Sequence, residues 1–255
     1  MGEEARRQGH AAIVAAVRSS PSLAADVLPA QLAQHAAQAI PHITAAEVLS
    51  LLVDAAQHAT ARMASEEACN HYTRALELVC DGDTEGRLAI LLPLGTEQHR
   101  AGALPPARQT FEAALELARA ASDAGTFARA ALGLHALGDV LSEHRESIDL
   151  VDEAYARLRA AAPSDSALEA RLLAAASQTR THHLDEDRAY AEQLSAQSVE
   201  LARAVGDDDT LGFCLLAHHD ALWRPGTAAQ RVELADEMRL VAHRMRSRQL
   251  IRSAV

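Results

Sequence analysis

Apolar residues recur every three or four positions along most of this chain, with polar residues filling the gaps. That period predicts amphipathic α-helices and no strands. A second pattern overlies the first. In "EEACNHYTRALEL" a small, a large and a small residue stand at i, i+4 and i+7: Ala68, Tyr72 and Ala75. Ala107, Phe111 and Ala114 repeat the triplet 39 residues later. Ser147, Val151 and Ala154 follow after 40, then Ala191, Ser195 and Ser198 after 44, then Arg231, Ala235 and Met238 after 40. An apolar helix precedes each triplet, from "EVLSLLVDAAQHA" through "RLAILLPLGTEQH", "ARAALGLHALGDV" and "ARLLAAASQTRTH" to "LGFCLLAHHDALW".

Small–large–small spacing keeps one helical face against a neighbour. The small residues let two backbones approach, and the large one fills the next groove. A helix pair of this kind cannot bury its face alone, so copies must stack. The expected fold is all-α, a right-handed superhelix of antiparallel helix pairs. Five pairs are expected at about residues 45–82, 83–123, 124–162, 163–206 and 207–255, after a helical cap over 1–44. Gly82, Gly102, Pro105, Pro106, Pro163, Gly206, Pro225 and Gly226 mark breaks between helices. Pro93 and Gly95 fall inside a helix and predict a kink or a loosened turn there.

The triplets, with Gly or Ala in the preceding helix, resemble the tetratricopeptide repeat. Leu52, Ala55, Ala56, Ala59, Ala68, Tyr72 and Ala75 match its characteristic positions, as do Leu91, Leu94, Gly95, Ala107, Phe111 and Ala114. The resemblance implies a tetratricopeptide-like α-solenoid. The usual closing proline is missing, and the period exceeds the common repeat of about 34 residues. A wider resemblance rests on "RRQGHAAIVAAV", "AAEVLSLLVDAAQHATARMASEEACNHYTRALEL", "RLAILLPLGTEQHRAGALPPARQTFEAALELARAA" and "LSAQSVELARAVGDDDTLGFCLLAHHDALWRPGTAAQRVELADEM". These are similar to the helical region behind the ATPase module of large actinobacterial LuxR-type regulators, relatives of the maltotriose-responsive activator. The resemblance implies a sensor or scaffold arm of a transcription regulator. The chain lacks a "GxxxxGK[ST]" phosphate loop and a C-terminal helix-turn-helix, which fits an excised portion or a stand-alone relative.

Ala dominates the composition, aromatics make up 3%, and Lys is absent, every basic side chain being Arg or His. A net charge of −11 argues against direct binding to nucleic-acid phosphates. Cys69, Cys80 and Cys214 suit reduced thiols in a cytoplasmic protein. No signal peptide precedes the first helix, and no apolar run reaches the roughly 18 residues of a membrane span.

Candidate chemistry is sparse. Asp207, Asp208 and Asp209 could hold Mg²⁺ against a diphosphate, but at the turn opening the fifth repeat such carboxylates are far more readily N-caps. The adjacent histidines His182–His183 and His218–His219 face different ways and form no ready zinc site. Cys69 and His71 also face apart, and no nucleophile elbow exists. The expectation is therefore no catalytic residues, no metal and no cofactor. Stacked first helices would line a concave groove receiving His99, Asp139, His183, His219, Asp220 and Trp223. That groove would bind a protein segment or a small-molecule effector without catalysis. The competing reading is a small-molecule binder or helical-scaffold enzyme from a biosynthetic cluster. A homodimer through the last helix or the cap is a further expectation.

Overall fold

The computed structural model describes residues 2–138, 144–161, 165–181 and 188–245. These residues are helical almost throughout and contain no strand, which is the all-α, tetratricopeptide-like fold expected. The helices are α1 (Glu3–Ser19), α2 (Pro21–Asp26), α3 (Pro29–Gln38), α4 (Ala45–Ala61), α5 (Ser65–Leu76), α6 (Thr84–Arg100) and α7 (Leu104–Ala121). They continue as α8 (Ala124–Ala136), α9 (His144–Ala160), α10 (Ser166–Thr181), α11 (Arg188–Val205), α12 (Asp208–Ala221) and α13 (Ala228–Met245).

Contacts divide the chain into two compact units, Met1–Ala121 and Ser122–Val255. In the first, α1 packs on α3, α3 on α4, α4 on α5, α5 on α6 and α6 on α7. Val14, Ala36, Leu52, Ala56, Ala68, Tyr72 and Leu94 share one buried cluster. Phe111 is buried in the same unit, and the reason Gly95 precedes it is visible: a Cβ on Gly95 would stand 2.8 Å from the Phe111 ring. The ring occupies the space a side chain would need. Pro93 sits inside α6, which runs on from Thr84 to Arg100. Pro105 and Pro106 do not separate helices; they lie in the first turn of α7, where a missing N–H costs nothing.

In the second unit α8 packs on α9 and on α10, and α10 packs on α11 and α12. Helices α11 and α12 meet, and α12 pairs with α13. Ala170, Val199, Leu215, Met238 and Val241 belong to its core. Ser177 of α10 donates to the Ala191 carbonyl of α11 at 2.8 Å, a bond that needs the small residue at 191 for the backbones to approach.

First helices begin in a shared way. Thr44, Asp83, Asp123 and Asp207 are N-caps of α4, α6, α8 and α12, and each side chain accepts from the backbone N–H three residues on. Asp165 does the same for α10 through Leu168 N–H at 3.1 Å. Just before the caps at 83, 123 and 207, residues Gly82, Ser122 and Gly206 have φ of 91°, 56° and 77°. A left-handed residue in this place ends the preceding helix.

Candidate functional site

Asp220 is on the last turn of α12, His219 on the turn's inner side, and Trp223 just beyond the helix end at Ala221. Trp223 thus lies two residues past the helix, in the connection to α13. Its backbone N–H still bonds the Asp220 carbonyl at 3.0 Å, so the helical twist persists far enough to bring it beside His219. The His219 and Trp223 rings meet edge-on, 6.3 Å between centroids.

A residue from α13 completes the cluster. The Arg231 guanidinium lies over the Trp223 ring, 3.8 Å from its centroid. Its Nη2 donates to His219 Nε2 at 3.3 Å. Because Arg has no acceptor, His219 Nε2 must be unprotonated in this arrangement, which leaves the ring proton on Nδ1. Nδ1 faces the Asp220 carboxylate at 3.5 Å. His219 is buried, whereas Trp223 is 67% exposed. The cluster therefore presents an open indole face whose back is held by a cation and an imidazole.

His218 turns the other way. Its Nδ1 is 2.9 Å from the Ser195 hydroxyl of α11, and burial lowers its pKa more than Glu192 raises it. Arg224, next to Trp223, forms an ion pair with Glu192 of α11 at 2.7 Å and fixes the turn.

Of the other residues expected in the groove, His99 is half-buried in the last turn of α6, in the first unit. Asp139 and His183 lie outside the described residues. The structure thus brings His219, Asp220 and Trp223 together and adds Arg231. In the sequence Arg231 stands at the first small position of the fifth triplet, where Ala68, Ala107 and Ala191 stand earlier. A large cation there has to find room between α12 and α13.

The aspartate run is engaged. Asp207 caps α12 through Thr210 N–H at 2.9 Å, and those bonds hold its carboxyl below the usual range. Asp208 takes Arg244 of α13, with Nε at 2.8 Å, and Asp209 takes Arg171 of α10 at 2.6 Å. Among the described residues no group of three His, Cys, Asp or Glu side chains could hold a metal ion. Cys214 is buried, its thiol reaches the Ala170 carbonyl at 3.6 Å, and burial pushes its pKa up to about 11. A thiol so protonated is a packing group. No helix among the described residues is long and apolar enough to cross a membrane.

No protein family profile matches the chain. No curated protein sequence matches it either. Solved structures do. A Rap protein complexed with competence and sporulation factor superposes with a TM-score of 0.68 at 10% identity, over 88% of this chain and 62% of that one. A signal transduction ATPase with a tetratricopeptide repeat sensor, from Pyrococcus horikoshii, gives 0.63 at 12% identity, over 96% of this chain and 39% of that one. BtubC from P. vanneervenii gives 0.61 at 14%, over 96% and 91%. The chain spans less than two thirds of the first two. At these identities the likeness establishes the tetratricopeptide-like fold.

Proposed function

We propose that this chain is a non-catalytic binding module that takes a protein segment or effector on the surface formed by His219, Asp220, Trp223 and Arg231. The observation that carries the reading is Trp223. It is the chain's one Trp, it is 67% exposed, and Arg231 and His219 fix its ring in place. An apolar ring held open to solvent, in a chain with only 3% aromatics, is a docking element more readily than a packing one. Two likenesses agree in kind: one solved relative carries a bound factor, and another uses such repeats as a sensor. The sequence resemblance to LuxR-type regulators suggests the setting, a cytoplasmic scaffold or sensor arm of a bacterial transcription regulator. Homodimerisation remains part of that proposal. The competing reading, a small-molecule binder or helical-scaffold enzyme, draws less support from the aspartate run, where Asp207, Asp208 and Asp209 each have a partner.

Peptide-array binding with the full chain tests the site. Trp223→Ala is expected to weaken captured peptides at least about tenfold, as loss of an aromatic anchor does, with its melting temperature within a few degrees of the parent. If every captured peptide binds the variant with unchanged affinity, the site is elsewhere.

A further inference from the structure

Arg231 is electrostatically out of place. In the second unit Arg129, Arg157, Arg171, Arg180, Arg224 and Arg244 each pair with a described carboxylate. Arg231 pairs with none among the described residues, although the chain carries a net charge of −11. Its Nη2 rests on the His219 ring at 3.3 Å, its plane rests on Trp223, and its Nε is buried with no acceptor among the described residues. A buried donor without an acceptor is a standing loss to the free chain, and a charged one is a larger loss. Turned outward from His219, the Nε–Nη2 edge would take two parallel charge-assisted bonds from a carboxylate in exchange for one long bond to an imidazole.

The occupant can be narrowed by shape. A small free acid is held in a concavity that covers most of its surface. Trp223 is open over two thirds of its area, so the anion must arrive on something that covers the ring as well. We propose that Arg231 and Trp223 together receive an acidic peptide segment of a partner protein: one carboxylate takes the Arg231 guanidinium from His219, and a neighbouring apolar side chain covers the indole. This deepens the reading above that the surface binds a ligand, and rests on it. His219 and Asp220 then act as a stand-in, holding the guanidinium stacked until the partner's carboxylate replaces the imidazole.

The probe is acetyl-Glu-Leu-Glu-Glu-Leu-amide, with its all-Gln counterpart and free glutarate beside it. Trp223 emission reports binding directly because the chain has one Trp. The acidic peptide is expected to shift that emission saturably, to bind at least about tenfold more tightly than the Gln peptide, and to weaken with salt. Arg231→Gln is expected to erase the preference and Arg231→Lys to restore part of it, while calorimetry on Trp223→Ala reads the contribution of the ring. Equal affinity for the Glu and Gln peptides, both lost in Trp223→Ala, overturns the acidic class and leaves the surface standing. Acidic-peptide binding that survives both Arg231→Gln and Trp223→Ala overturns proposal and surface together. Glutarate matching the peptide's affinity overturns the peptide occupant, and no saturable shift with the acidic peptide overturns the proposal.

Discussion

A single methyl group added at Gly95 would be felt at once, because its Cβ would sit 2.8 Å from the Phe111 ring. Overpacking of this kind costs about 1–3 kcal/mol, so Gly95→Ala should lower the unfolding free energy read from a urea titration by that much. Phe111→Leu in the same chain should cost less than the sum of the two single changes, and strict additivity would show that the ring and the glycine do not share the space. The same separation of 16 residues between a first and a second helix pairs Ala56 with Tyr72, Gly95 with Phe111, His135 with Val151, Thr179 with Ser195 and His219 with Ala235 in the sequence. Where the first helix carries a histidine, the second helix carries a smaller residue. His135 shows what such a seat does to an imidazole. It bonds Gln178 of α10 at 2.9 Å, and burial lowers its pKa more than that bond raises it. His71 and His218 are lowered for the same reason. The sign follows directly. The unfolded chain takes protons near the ordinary histidine pKa of about 6.5, and the folded chain takes them only at lower pH. Stability is therefore complete above that value and falls as pH drops below it. Urea midpoints measured from about pH 7 to about pH 5 should decline, and His135→Gln should make the decline shallower. A flat profile would mean that these imidazoles titrate alike in both states.

At the scale of the helix, starts are better specified than ends. Caps at Thr44, Asp83, Asp123, Asp165 and Asp207 recur at intervals of 39, 40, 42 and 42 residues. In two successive first helices an arginine six residues past the cap reaches the start of the next: Arg129 to Asp165 at 3.5 Å and Arg171 to Asp209 at 2.6 Å. Both pairs are largely exposed, so they set register more than they stabilise. The caps do contribute. Asp123→Ala and Asp207→Ala should each cost about 1 kcal/mol, with faster amide exchange confined to the first turns of α8 and α12 respectively. Exchange that rises along both whole helices would contradict a local role. Much at this scale was legible in the sequence. Period and triplet spacing mark the helices and their pairing, and "SDAGT" and "GDDDT" end and restart the chain in one way, with Ser122 and Gly206 as the left-handed residues. Pro105 and Pro106 misled because a proline is as welcome in a first helical turn as outside it. The candidate site was only half legible. Pattern reading selects the His219 helix, but Trp223 lies in a turn, and Arg231 looks like a degenerate match to a small position until packing shows where its side chain goes.

Across the whole molecule, the linear repeat says nothing about where cooperativity divides, since its period runs through all five copies without a gap. The packing offers a place for that division, two compact units with separate buried clusters. In stacked-repeat proteins each element is stabilised by its neighbours alone, so a lesion spreads along the stack only as far as nearest-neighbour terms carry it. Leu52 is almost fully buried in the cluster that joins α1, α3, α4, α5 and α6. Leu52→Ala should remove about 2–5 kcal/mol from that cluster. Trp223 lies in the other unit and is the chain's one Trp, so its emission follows that unit alone while circular dichroism follows every helix. In the parent chain the two signals should share most of one urea transition. In Leu52→Ala the helical signal should acquire an early phase, whereas the Trp223 midpoint moves by much less. Met238→Ala, in the core shared by α12 and α13, should invert the pattern and move the Trp223 midpoint first. If either substitution displaces both signals equally, the units unfold as one body, and a ligand held at Trp223 would then stabilise α4 as strongly as it stabilises α12.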